Sequence, residues 1–223
     1  MPSDEALHLA TVLRAKAGDS VELTDGAGSE AAGTVTSVGR RTATVRVEGP
    51  VRRVVRPPTM ELRCALPRAG AADDVVRQAT EIGATIIRPL VTERGVWKSE
   101  PERDERRHDR FVKAAAAALK QCKGSWLPEF GAPVSPADLK LGPGDVAVFG
   151  SLREGAILLR EAGARIADAG RVVVLIGPEG GFTEAEERAM ASAGALAVRL
   201  GGHVLRVETA VVALLGFAVA VRR

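Results

Sequence analysis

The sequence predicts an α/β protein: a mostly parallel sheet with helices on both faces, preceded by a small β-barrel. Three observations predict it. Beyond about residue 59, short apolar segments alternate with longer segments of helical periodicity, the pattern of strands joined by crossover helices. Ahead of that region, short β-rich pieces follow one another at close spacing, as in small barrels. Between the two regions stands Pro57-Pro58, which marks a boundary. The resulting division is residues 1–58 and 59–223.

The elements follow in order. Residues 3–15 carry Leu7, Leu9, Val12 and Leu13 at helical spacing, and Gly18-Asp19 ends that helix. Strands are expected at 21–24, 33–38 and 42–47, separated by Asp25-Gly26, Gly39-Arg40 and Gly49-Pro50 as turns. Residues 26–31 match the dinucleotide fingerprint by letter. The segment that follows them is strand-like and offers no helix N-terminus, so they form a hairpin turn.

In the second region, 61–66 is a strand and 73–82 a helix with Val75, Val76, Ala79 and Ile82 on one face; 85–89 is a strand again. A long helix covers 101–121. Strand 146–149, helix 154–161 and the fully apolar strand 172–176 come next. Thr183 caps a helix, with Glu186 completing a capping box. Strand 197–200 and helix 208–221 close the chain.

Composition excludes several function classes. The chain has 223 residues, 46% hydrophobic and 26% charged, an ordinary globular mix long enough to bury a core without staples. Aromatic residues make up only 3% and tyrosine is absent, which argues against broad base-stacking surfaces. A net charge of +3 does not by itself indicate nucleic acid, so any basic surface is local. Cys64 and Cys122 lie far apart without CxxC or Cys/His spacing, and His8, His108 and His203 are scattered; no metal site is expected. The longest apolar run, 210–221, is too short to span a bilayer. The expectation is a soluble cytoplasmic protein with reduced thiols.

Ligands of open parallel sheets sit beyond the carboxyl ends of the strands. Two glycine-rich segments fall there: IGPEGGF at 176–182, and LGGHVLRVETA at 200–210. Glycines let the backbone approach a ligand, and a helix N-terminus offers free N–H groups.

These two segments, LIGPEGGFTEAEE at 175–187 and LGGHVLRVETA at 200–210, resemble the RsmE-type 16S rRNA (uridine-N3) methyltransferases of the SPOUT superfamily. ATEIGATIIRPLVTER at 79–94 and HLATVLRAKAGDSVELTDGAG at 8–28 support the resemblance, which covers nearly the whole chain. It implies an N-terminal PUA-like RNA-binding barrel and a SPOUT-type, trefoil-knotted methyltransferase domain. It implies S-adenosylmethionine (SAM) as methyl donor, a homodimer, and N3 of one uridine in the small-subunit rRNA as target. The SAM walls implied are Phe149 and Gly150; Ile176, Gly177, Pro178, Glu179, Gly180 and Gly181; and Leu200, Gly201, Val204, Leu205, Arg206, Glu208, Thr209 and Ala210.

The chemistry that the resemblance implies is in-line methyl transfer to a uracil nitrogen that must lose a proton. A guanidinium would stabilise the anionic base. Arg94 and Arg206 are the candidates, with Glu208 orienting Arg206 or the last helix; an Arg94–Glu208 salt bridge within the knot is the structural alternative. Candidate rRNA contacts are Arg14, Arg40, Arg41, Arg52, Arg53, Thr92, Arg94 and Gln121, the last kept within Lys120-Gln121-Cys122-Lys123-Gly124, where the family carries E-Q-[SC]-x-R. Trp97 reads as a packing residue. A SPOUT enzyme acting on tRNA or a ribose 2′-hydroxyl, or a non-catalytic RNA-binding assembly factor, remains the alternative.

Overall fold

The computed structural model describes residues 3–39, 41–68, 70–98 and 100–222. The chain divides into two compact units, Met1–Arg56 and Pro57–Arg223.

In the first unit a short helix, α1 (Ser3–Thr11), precedes an antiparallel meander of β1 (Ser20–Thr24), β2 (Ser29–Val38) and β3 (Ala43–Arg53). The turn between β1 and β2 is the hairpin that imitated a dinucleotide motif. Asp25 Oδ1 accepts the N–H groups of Ala27 and Ser29 at 2.8 and 2.9 Å, and Gly26 and Gly28 take positive φ. Gly49-Pro50 does not reverse the chain as expected. Ala32 pairs with Glu48 while Glu30 pairs with Arg52, so the dipeptide forms a bulge within a longer strand. The helix also ends sooner than its apolar spacing suggests. Ala6 and Leu9 pack on Ala43, whereas Leu7, Val12 and Leu13 are exposed; the last two fall beyond the final helical residue.

The second unit is built on a seven-stranded, all-parallel sheet in the order β6-β5-β4-β9-β7-β10-β8. Its strands are β4 (Thr59–Cys64), β5 (Ile86–Pro89), β6 (Glu129–Phe130), β7 (Asp145–Gly150), β8 (Ile157–Leu158), β9 (Arg171–Ile176) and β10 (Leu196–Arg199). The helices are α2 (Gly70–Ile82), α3 (Pro101–Cys122), α4 (Gly163–Ala167), α5 (Glu184–Ser192) and α6 (Val207–Val221). Strand alternation sorts the side chains. Met60, Leu62 and Cys64 of β4 and Val172, Val174 and Ile176 of β9 join the core that α2, α3, α4 and α6 cover. Val173 and Leu175 of β9 and Ala147 and Phe149 of β7 face the other way, onto Met190 of α5. Burial on both faces explains why 172–176 is apolar throughout.

On the α5 side of the sheet, β4 carries charge. Glu61 is 2% exposed and meets Arg63 at 2.7 Å, Arg88 at 3.2 Å and Arg171 at 2.8 Å; Arg171 also pairs with Asp145 at 3.0 Å. Charges this buried are tolerated because each has a partner.

The helix expected at 154–161 is absent. β8 and a 3-10 turn at Leu159–Ala162 stand there, followed by α4. The reason is topological: Val198 and Arg199 of β10 pair with Ile157 and Leu158, a partnership with no local sequence signal. β10 therefore lies between β7 and β8, although the chain passes directly from one to the other through 151–156. The segment leaving the C-terminal end of β10 must pass that connection, which spans the same end of the same strands. Local periodicity carries no trace of this strand order, in which β10 is inserted between two strands consecutive in the chain.

Candidate functional site

β7, β9 and β10 end side by side, and the segments leaving them enclose a cavity of about 420 Å³, within the range of small-molecule sites. After β9, Gly181 N–H donates to Pro178 C=O at 2.8 Å and Gly181 takes φ +68°, turning the chain sharply before α5. A Cβ on Gly177 would sit 3.1 Å from the Phe182 ring. Phe182 is buried and held edge-on by Phe149, with ring centroids 6.2 Å apart. Thr183 then caps α5: its hydroxyl accepts the Glu186 N–H at 3.3 Å, and Glu186 accepts the Thr183 N–H at 2.7 Å.

After β10, residues 200–206 run exposed into α6. Within the described residues, the backbone N–H groups from Gly202 to Thr209 have no acceptor; the first bond of the helix is Ala210 N–H to Arg206 C=O at 2.9 Å. A row of free donors converging with a helix N-terminus suits a ligand rich in acceptor atoms or carrying a carboxylate.

The third wall is 150–153. Ser151 Oγ donates to Glu187 Oε2 at 3.0 Å, and Arg153 pairs with Glu187 Oε1 at 3.2 Å. A fourth element arrives from β5. The chain beyond β5 is held by Leu90 N–H to Cys64 C=O at 2.7 Å and Val91 N–H to Val134 C=O at 2.8 Å. It then turns at Thr92–Gly95 and projects Arg94 to the cavity, where Nη1 donates to the Gly180 carbonyl at 2.8 Å.

Among the residues singled out from the sequence, Arg94, Gly150, Ile176, Gly177, Pro178, Glu179, Gly180, Gly181, Leu200, Val204, Leu205 and Ala210 line the cavity. Phe149, Gly201, Arg206, Glu208 and Thr209 do not. Phe149 is buried beneath Phe182 and supports the wall from behind. Arg206 is the exposed residue preceding α6, and Thr209 is exposed in its first turn. Glu208 is half-buried near Cys64: burial first, then the charges of Glu179 and Glu208, push the Cys64 thiol pKa well up. The Arg94–Glu208 salt bridge is not formed; the partner of Arg94 is the Gly180 carbonyl.

Of the RNA candidates, Arg14, Arg41 and Arg53 are exposed and Arg52 is paired with Glu30, all in the first unit. Arg40 lies outside the described residues. In the second unit, Gln121 is exposed at the end of α3, whereas Thr92 is buried inside the turn that presents Arg94, its hydroxyl unsatisfied. Trp97 is buried, with Arg107 stacked 4.1 Å over its ring.

Sequence reasoning missed Ser151, Arg153, Glu187 and Arg199, all of which line the cavity. The contacts of Ser151 and Arg153 with Glu187 join segments remote in sequence, which local periodicity does not report. No group of three His, Cys, Asp or Glu side chains among the described residues is placed to hold a metal, and no helix there is long and apolar enough to cross a membrane.

Comparison with known proteins places both units. Residues 56–219 match the RNA methyltransferase domain model and residues 2–48 the RNA methyltransferase PUA domain model. A ribosomal RNA small subunit methyltransferase E of Mycobacterium bovis is 33% identical over 223 residues, spanning 96% of this chain and 82% of that protein. The Bacillus subtilis protein of that name is 25% identical over 214 residues, spanning 93% and 84%. Among solved structures, a Legionella pneumophila methyltransferase with bound SAM superposes with a TM-score of 0.86 at 26% identity, covering 99% of this chain and 90% of that one. The Neisseria gonorrhoeae ribosomal RNA small subunit methyltransferase E bound to SAM gives 0.83 at 25%, covering 96% and 88%.

Proposed function

The chain belongs to the RNA methyltransferase family, its PUA domain preceding the methyltransferase domain, and from that premise we propose that it is a SAM-dependent enzyme of small-subunit rRNA that methylates N3 of one uridine in 16S rRNA. The observation that carries this reading is the cavity at the ends of β7, β9 and β10. It combines glycine-lined walls, unengaged N–H donors leading into α6 and three exposed guanidinium groups, of which Arg94 comes from the β5 side and Arg153 and Arg199 from the ends of β7 and β10. Those features fit SAM, whose amino acid carboxylate and adenine nitrogens need donors and whose bulk needs walls without side chains.

Bound there, SAM supplies a methyl group on a sulfonium, an electrophile that needs no further activation. The work left to the protein is positioning, which accounts for much of the rate in such transfers. The loops at 177–181 and 200–210 would hold the donor, with Gly150 closing the third side. Arg94 stands at the cavity from the β5 side and would stabilise the uracil as N3 gives up its proton. With a guanidinium beside the base the demand for a dedicated proton acceptor falls, and solvent would suffice. Glu208, outside the lining, would orient Arg206 or the start of α6, where a carboxylate is favoured.

Residues 1–58 would supply rRNA binding and residues 59–223 methyl transfer. Arg14, Arg41, Arg52 and Arg53 of the first unit, with Arg40, would contact phosphates and set register without reading sequence; Gln121 would act from the second, where Thr92 is buried and would only shape the turn that carries Arg94. A cytoplasmic homodimer is the expected working form. Val212 and Val219 support it, as they remain 39% and 44% exposed on a helix whose opposite face is core.

The decisive experiment incubates the protein and SAM with unmethylated small subunits, and with naked rRNA in parallel, followed by nucleoside mass spectrometry. The expected product is 3-methyluridine on the subunits. A different methylated nucleoside, or activity on tRNA only, would overturn the target. Absence of SAM binding would leave a non-catalytic assembly factor.

A further inference from the structure

We propose that Glu186 is a positioning residue for Arg94, clipping the turn that carries the guanidinium to the helix that begins at the cofactor loop. The inference rests on the reading of Arg94 given above and deepens it.

The argument starts from what a capping box requires. Glu186 is the third residue of α5, and its Oε2 receives the Thr183 N–H at 2.7 Å and the Thr183 hydroxyl at 3.2 Å. Capping is complete with that oxygen alone. The other oxygen, Oε1, leaves the helix altogether and accepts the backbone N–H of Glu93 at 2.8 Å, from a segment 93 residues earlier in the chain. Glu93 immediately precedes Arg94.

That bond falls where the turn lacks other support. Its base is fixed to the sheet through Leu90 and Val91. The turn is tight: Gly95 N–H donates to Thr92 C=O at 3.1 Å, and a Cβ on Gly95 would lie 2.5 Å from the Thr92 hydroxyl. Its tip bears Arg94, whose bond to Gly180 C=O at 2.8 Å comes from a long, exposed side chain and cannot by itself fix the backbone. Gly180 lies in the loop that would touch the methyl donor and Glu186 in the first turn of the helix that follows it, so the two bonds tie the turn to that loop and to α5. The guanidinium is thereby placed relative to the donor rather than to the sheet alone.

The carboxylate is the side chain this task needs. A glutamine has the same shape but one acceptor oxygen, and must give up either the cap or the Glu93 bond. An aspartate is one methylene short of spanning both.

The test is steady-state methylation of small subunits by full-length variants, with SAM affinity and thermal melting measured on each. Glu186→Ala should lower kcat about 10- to 100-fold, as misplacement of a positioned group does, with SAM affinity held within about threefold. Glu186→Gln, which retains a cap-competent oxygen and guards against a folding failure, should lower kcat in the same direction with little change in melting. Thr183→Val removes the capping hydroxyl and leaves the Glu93–Glu186 bond, so it should lower melting while kcat stays within about threefold. On an Arg94→Ala background, Glu186→Ala should cost nothing further, because two residues acting through one group are not additive.

Wild-type kcat in both Glu186 variants while Arg94→Ala is inactive would overturn the proposal and leave the role of Arg94 standing. So would a kcat loss in Thr183→Val equal to that in Glu186→Ala, or full additivity in the double variant. If Arg94→Ala is itself fully active, the reading of Arg94 fails and the proposal falls with it.

Discussion

Arg94 Nη1 donates to the carbonyl oxygen of Gly180 at 2.8 Å, across 86 residues of chain. The bond joins the turn after β5 to the glycine loop after β9, and it leaves the rest of an exposed guanidinium facing the cavity. A group held in this way is placed for chemistry more than for stability, since a single exposed bond to a carbonyl contributes little to the fold.

Arg94→Ala should therefore abolish methylation, a loss of about 100-fold or more, as for other transition-state donors. SAM affinity and the unfolding midpoint should stay close to wild type. Isothermal titration and urea unfolding alongside the methylation assay check both parts.

Gly180→Val separates the loop's shape from its fold. A Cβ at Gly180 would find ordinary contacts, Arg94 Cδ at 3.5 Å and Arg94 Cβ at 3.6 Å, and the backbone there is not left-handed. The protein should fold normally, while the added γ carbons occupy the cavity and push on Arg94. SAM affinity should fall about tenfold or more, equivalent to roughly 1.4 kcal/mol. Unchanged affinity in a binding titration would remove this loop from the site.

Glu61 holds Arg63, Arg88 and Arg171 together at the buried heart of the sheet. Glu61→Ala would leave those guanidinium groups without their shared counter-charge, at a cost of about 3–5 kcal/mol. Denaturant unfolding should show a large drop in midpoint, or no folded protein at all. Retention of wild-type stability would contradict the cluster.

The two cysteines should behave oppositely. Burial, assisted by Glu179 and Glu208, raises the Cys64 pKa, so the thiol stays protonated and shielded in the fold; Cys122 is exposed. A thiol reagent at about pH 8 should label one cysteine in the native protein and two after denaturation. The sign of the linked pH effect follows. Above about pH 8.5 the unfolded chain releases the Cys64 proton and the folded chain does not, so stability falls as pH rises through that range. Cys64→Ala should flatten that part of the stability–pH curve.

Arg41 and Arg53 are exposed, whereas Arg52 is engaged by Glu30. If residues 1–58 bind rRNA, Arg41→Ala and Arg53→Ala should each weaken binding and reduce the salt dependence by about one phosphate contact, while Arg52→Ala does less. Binding titrations at several salt concentrations decide it.

What the sequence determined by itself is local or repetitive. The apolar run 172–176 marked a strand buried on both faces, and β9 has that burial because α5 and α6 cover opposite sides of it. Thr183 and Glu186 announced a helix start, and the capping box is formed. The glycine segments at 177–181 and 200–202 were visible because glycine in a βα turn leaves a compositional mark. Tertiary structure alone decided which of these meet. The pairing of β10 with β8, the ion cluster around Glu61, the Ser151–Glu187–Arg153 contacts and the bond from Glu93 to Glu186 all join residues remote in sequence. Each depends on strand order, which is fixed when the whole sheet closes its core. Periodicity reports which face of an element is buried and carries no information about the neighbour that buries it.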